Sequence, residues 1–191
     1  MIRLKQITGL AQHYAGLAVS NGDHVVDATA GNGYDTLFLA GKVGTSGHVY
    51  AFDIQEEALI KTGDRLKEHK LEGWVTLYQD GHENLLQYVQ KPISVAMYNL
   101  GYLPKGDRQI TTKHQTVIQS LKQALTLLKP GGIVTIVLYP GHEQGAEEKN
   151  HILPVIRALS SSDYAVLYNA LLNQVNDPPE LIVVQKNNLL V

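Results

Sequence analysis

The sequence predicts an α/β fold: a mainly parallel sheet with helices on both faces, preceded by an N-terminal helix and closed by an antiparallel hairpin. Three observations carry that reading. Short apolar runs alternate with segments of helical spacing along most of the chain. The run Val25-Val26-Asp27-Ala28-Thr29-Ala30-Gly31-Asn32-Gly33 passes from a buried-strand pattern through a tight glycine turn into a helix. Near the C-terminus, two strand-like runs are joined by too few residues for a crossover helix, so they must pair antiparallel.

Each element follows from its pattern. Leu4, Ile7, Leu10, Ala11, Tyr14, Leu17 and Ala18 recur at helical spacing, predicting an amphipathic helix that Gly22 and Asp23 end. Strands are expected near 24–28, 48–53, 74–79, 93–99 and 132–138, with helices near 34–41, 55–69, 82–89, 112–128 and 145–159. Leu127-Leu128-Lys129-Pro130-Gly131-Gly132 is a helix stop before the apolar run Ile133 to Leu138. Tyr164 to Ala170 and Leu181 to Lys186 form the hairpin, joined through Asn176-Asp177-Pro178-Pro179. The sheet therefore has seven strands.

A chain of 191 residues with 44% apolar content is expected to be a single domain, 1–191, with residues 1–20 as a helical extension. A net charge of -2 excludes a globally basic nucleic-acid binder but leaves room for a local basic patch. The chain has no cysteine, which excludes disulfides, thiolate metal sites and a cysteine nucleophile and accords with a cytoplasmic location. Met1 to Ser20 does not read as a signal peptide, and no apolar run reaches membrane-spanning length. The eight histidines show no metal-ligand spacing, so no metal is expected. The apolar end strands make a homodimer plausible.

The glycine turn is the first candidate site. Gly31 and Gly33 let the backbone swing tightly and a ligand lie against it, and the helix from Tyr34 offers free N–H groups. A dinucleotide fingerprint would place a third glycine where Thr36 stands, and Asp27 would sit poorly beside a diphosphate. A carboxylate there suits the ammonium and sulfonium of S-adenosylmethionine. Asp53 follows Gly33 at the spacing where a second strand offers an acid to a ribose diol. Asp80-Gly81-His82 closes the third strand, where a side chain could meet the exocyclic amine of adenine. Three acids thus close three successive strands.

The acceptor side falls beyond the fourth and fifth strands, because open α/β sheets bind ligands past the carboxyl ends of their strands. Asn99 stands where amino-directed methyltransferases carry the Asp or Asn of an Asn-Pro-Pro-Tyr motif, with Leu100 and Gly101 in place of the prolines. Tyr102 keeps the aromatic position that can stack on a base. His142, after strand five, is a candidate base for an attacking amine, or else a substrate contact or a helix cap.

Taken together, Asp27 to Thr36, Ala51-Phe52-Asp53-Ile54-Gln55, Asn99-Leu100-Gly101-Tyr102-Leu103-Pro104 and Tyr139-Pro140-Gly141-His142 resemble the bacterial family that carries the label rRNA methylase. Its members are understood as methyltransferases of the tRNA wobble uridine, converting 5-aminomethyl-2-thiouridine at position 34 to its 5-methylaminomethyl form. The resemblance spans about Asp23 to Lys186 and implies a Rossmann-like class I methyltransferase fold, S-adenosylmethionine as cofactor and tRNA as substrate. It implies that Asn32 and Asp35 contact the methionine part with Asp27 nearby. Asp53 and Gln55 would hold the ribose and flank the adenine, and Asp80 and His82 would border the adenine. Lys105 stands where the family tends to have glycine, which adds charge to the loop reaching His114. There Lys105, Arg108 and Lys113 outnumber Asp107, which suits phosphate contact. Two alternatives stay open: a methyltransferase for an rRNA base or small amine, and a module that only binds the cofactor or RNA.

Overall fold

The computed structural model describes residues 4–101 and 113–187. Its sheet has seven strands in the order β3-β2-β1-β4-β5-β7-β6. These are β1 (His24–Asp27), β2 (His48–Asp53), β3 (Val75–Gln79), β4 (Ile93–Asn99), β5 (Leu128–Leu138), β6 (Tyr164–Asn169) and β7 (Glu180–Lys186). β3, β2, β1, β4 and β5 run parallel, and β7 pairs antiparallel with both β5 and β6. The predicted terminal hairpin is therefore present.

Helices cover both faces. α1 (Ile7–Ala18), α2 (Tyr34–Val43) and α3 (Glu56–Glu68) pack on one side, where Ile7, Leu10, Ala11, Leu39, Val43 and Leu66 meet Val25, Val49, Val95 and Val183. α4 (Leu85–Tyr88), α5 (His114–Leu127) and α6 (Glu143–Arg157) pack on the other, where Leu85, Val117, Leu121 and Ile152 meet Phe52, Ala96, Ile136 and Ile182. Because both faces are covered, β4 is buried along its length and reads as a continuous apolar run rather than an alternating one.

Four local departures from the sequence pattern have physical causes. Leu17, placed on the apolar face of the first helix, is 69% exposed, because that helix buries only the stripe of Ile7, Leu10, Ala11 and Ala15. The expected helix near 82–89 is a 3-10 turn, His82–Asn84, running into the single turn of α4. The Asp80 carboxylate there accepts bonds from the Gly81 N–H, the Asn84 amide and the Tyr88 hydroxyl, which fixes a tight turn in place of a regular first helical turn.

β5 begins at Leu128 rather than near 132. Leu128 is buried opposite Ile93, and the register with β4 shifts before Val95 pairs with Ile133. Gly131 takes φ +78°, so Pro130 and the two glycines pass as an irregularity inside the ladder. Of the two end strands, β7 lies inside the sheet and is buried at Leu181 to Val184, whereas β6 is the edge and exposes Val166, Leu167 and Tyr168. Among the described residues no helix is long and apolar enough to cross a membrane.

Candidate active site

The strand order reverses between β1 and β4, which opens a crevice at the carboxyl ends of these neighbours. The glycine turn enters it from β1. Gly31 (φ +51°) and Gly33 (φ +78°) both adopt left-handed backbone, and a Cβ on Gly33 would lie 2.9 Å from the Cα and Oγ1 of Thr62. Only glycine lets the turn lie this close to α3. From behind, Thr62 donates to the Gly31 carbonyl at 3.2 Å and Arg65 Nε to the Asn32 carbonyl at 2.7 Å. Arg65 also lies 3.9 Å over the ring of Tyr34, which is 62% exposed. Asn32 is half-buried at the crown of this turn.

Asp27 is fully enclosed. Its Oδ1 accepts the Thr29 N–H at 3.1 Å and its Oδ2 accepts the Thr36 hydroxyl at 2.6 Å, and Thr36 is buried with it. The structure thus places Asp27 and Thr36 beneath the turn, as its internal brace, rather than on an open wall. Burial, with Asp35 and then Asp53 nearby, pushes the Asp27 carboxyl up to about 7. Burial also raises Asp35, which accepts a 2.7 Å bond from Gln12 of α1. Asp53, raised by burial, accepts the N–H groups of Gly31 and Gln55, each at 2.9 Å. Three carboxylates crowd around the glycine turn, Asp27 from beneath it, so a cation beside the turn would relieve their repulsion. That donor set fits the sulfonium and ammonium of S-adenosylmethionine and leaves acceptor lone pairs for a ribose diol.

Asp80 lies at the end of β3 with its oxygens engaged as described, and those bonds hold its carboxyl below the usual range. Gly81 and His82 are buried beside it. Burial lowers the His82 imidazole to about 4, so it is neutral near pH 7, edge-on to Tyr98 with ring centroids 5.8 Å apart.

On the acceptor side, the Asn99 N–H donates to Thr29 Oγ1 at 2.8 Å, tying the end of β4 to the loop after β1. The Tyr139 hydroxyl donates to Asn99 Oδ1 at 2.8 Å. This fixes which way the amide faces and leaves its NH2 and one oxygen lone pair for a partner. Burial, with Asp35 nearby, pushes the Tyr139 phenol up to about 12, so it stays a donor at all working pH values.

His142 is the N-cap of α6, and its Nδ1 accepts the Gly145 N–H at 3.0 Å. The helix-cap alternative is the one this geometry supports. Tyr102 and the segment from Lys105 to Arg108 lie outside the described residues. Among the described residues, His114, Glu147 and His151 of α5 and α6 lie close together, a grouping that the spacing of the histidines in the sequence does not announce. The three lie on two helices that only the fold brings together.

Sequence reasoning assigned no role to Gln12, Thr29, Thr62, Arg65 or Tyr139. Tyr139 closes β5, next to β4, and a polar aromatic at that strand end was a readable signal. The other four act on backbone atoms or from another layer, which no local motif announces.

A family model described as "Putative rRNA methylase" matches residues 49–185. The chain belongs to this family of S-adenosylmethionine-dependent methyltransferases. The matched range begins after the glycine turn, but relatives of the family extend over it. The chain is 34% identical to the tRNA (mnm(5)s(2)U34)-methyltransferase of Arabidopsis thaliana chloroplasts, over 96% of this chain and 71% of that one. It superposes on an rRNA-methylase family structure from Clostridium thermocellum with TM-score 0.94 at 42% identity, covering 97% of this chain and 99% of that one. A Streptococcus mutans methyltransferase structure in complex with SAH matches with TM-score 0.88 at 34% identity, over 97% and 99% of the two chains.

Proposed function

We propose that the chain methylates the 5-aminomethyl group of 5-aminomethyl-2-thiouridine at the wobble position of tRNA, giving 5-methylaminomethyl-2-thiouridine. The observation that carries this reading is Asn99, an amide at the end of β4 whose orientation is set by Tyr139 beside an acidic crevice. The name of the Arabidopsis relative supports the same acceptor.

When bound, S-adenosylmethionine supplies a methyl group on a positively charged sulfur. Asp35 and Asp53 would face the ammonium and the ribose, with Asn32 and Gln55 beside them, and Asp27 would hold the turn and add negative potential. Asp80, Gly81 and His82 would border the adenine. Asn99 would accept one N–H of the neutral primary amine and aim its lone pair along the line of displacement. The chain's part would be to hold the amine lone pair in line with the methyl group the cofactor supplies, and the proton that the methylated amine sheds would pass to water. No strong base is needed, which accords with His142 serving as a cap. Tyr102 would stack on the base, and the cations from Lys105 to Lys113 would meet phosphate.

Mass spectrometry of tRNA nucleosides from a strain lacking the gene tests this. The expected result is loss of 5-methylaminomethyl-2-thiouridine with accumulation of its 5-aminomethyl precursor, restored by the wild-type gene and not by Asn99→Ala. An unchanged tRNA profile would overturn the assignment, and a change confined to rRNA or to small amines would redirect it.

A further inference from the structure

α5 and α6 both begin at the carboxyl ends of their strands, and a polar cluster sits where they meet. His114 is the first residue of α5, while Glu147 and His151 stand one turn apart on α6. The His114 and His151 rings stack with centroids 3.8 Å apart and planes 9° apart. His114 Nδ1 is 4.0 Å from Glu147 Oε1, and one ligand atom from each of the three residues lies within 4.8 Å of the others.

We propose that His114, Glu147 and His151 form a binding site for a divalent transition-metal ion, zinc being the ion this donor set suits best. Two imidazole nitrogens and one carboxylate oxygen, with a fourth position for water, form a three-ligand zinc set, and the residues come from two helices that the ion would clamp. The outer contact is already in place. His151 Nδ1 lies 2.8 Å from the Glu147 carbonyl oxygen, so it carries the proton and donates it there. Nε2 is thereby left as the coordinating atom, in the manner by which metal-bound histidines are oriented through their second nitrogen.

Bonds of about 2.0–2.1 Å in a tetrahedron put ligand atoms roughly 3.3 Å apart, so the cluster must close by up to about 1.5 Å and the rings must tilt out of parallel. Glu147 and His151 are exposed and His114 half-buried, so side-chain torsions can supply that movement without shifting either helix. The cluster lies on the face opposite α2 and α3, apart from the glycine turn. A bound ion would fasten the start of α5, the helix that follows the Asn99 loop, to α6.

The test uses the untagged full chain, stripped with chelator and titrated with zinc by calorimetry, with cobalt absorption as a second readout. One saturating ion per chain is expected, with a visible cobalt spectrum of four-coordinate type and affinity that falls as pH drops because both imidazoles must be neutral. His151→Ala and His114→Ala should each weaken zinc binding at least tenfold, Glu147→Gln should weaken it less, and the exposed control His69→Ala should leave it unchanged. The zinc-dependent rise in melting temperature should vanish in the same variants, whose metal-free circular dichroism checks that they fold. Absence of saturable binding in the micromolar range, or binding that survives both histidine substitutions, would overturn the site and leave the stacked rings as interhelical packing.

Discussion

Gln12 and Asp35, 23 positions apart, meet side chain to side chain: the Gln12 amide donates to Asp35 Oδ1 at 2.7 Å. The N-terminal helix is therefore part of the crevice. Gln12→Ala leaves a mostly buried carboxylate without its neutral partner, so S-adenosylmethionine should bind with a Kd raised roughly three- to tenfold, as expected for one hydrogen bond to a charged group. Calorimetry decides it; an unchanged Kd would mean that Asp35 does not face the ligand.

Tyr139→Phe removes the hydroxyl that orients Asn99 and little else. A fall in kcat of about tenfold is expected, corresponding to roughly 1.4 kcal/mol, with cofactor affinity nearly unchanged. Single-turnover kinetics on modified tRNA separates the two. Equal losses in kcat and cofactor binding would point to a general collapse of the crevice.

The Asp27 carboxyl gives a pH signature. Its value in the folded state, about 7, lies above the roughly 3.9 of an unfolded aspartate. The folded chain therefore binds the extra proton between these values, and this group's contribution to stability falls as pH rises through that window. Asp27→Asn should flatten the decline in melting temperature between about pH 4 and pH 7, the span of that window. The cofactor's positive charge favours the ionised form, so S-adenosylmethionine affinity should rise over the same range in the wild type and rise less in the variant. Parallel melting and binding curves for the two proteins would reject the role.

Gly33→Ala should destabilise the chain by about 1–3 kcal/mol, because φ +78° is strained for alanine and the new Cβ meets the backbone of Thr62. Denaturant melts measure this directly. A loss under half a kilocalorie would show that α3 yields easily.

Arg65→Lys keeps the charge but loses the planar group that lies over Tyr34 and reaches the Asn32 carbonyl. The expected result is a several-fold weaker cofactor affinity for both Arg65→Lys and Arg65→Ala. Full affinity in the lysine variant would mean that charge alone suffices.

These residues also mark where the sequence was legible. The strands, the glycine turn and the acids that end β1 and β2 could be read because each depends on period, φ or spacing within a few residues. Pairing across the sheet and contacts between layers could not. Asp27 looked like a cofactor ligand from its position, and its enclosure depends on Thr36 folding back over it. His142 looked equally like base or cap, and only the fold puts the Gly145 N–H on its Nδ1. The 3-10 turn after β3 follows from three donors converging on Asp80, one of them Tyr88, eight residues away.

The placement of β7 has a consequence during synthesis. It is the last of the described strands to leave the ribosome, yet it fills the gap between β5 and β6 and buries Leu181 to Val184. Until it arrives, the nascent chain carries a long apolar strand, β5, with one edge bare and Tyr139 at its tip. A chaperone that shields extended apolar segments would find its target there, and nonsense variants ending before Glu180 should be cleared rather than accumulate as partly active protein.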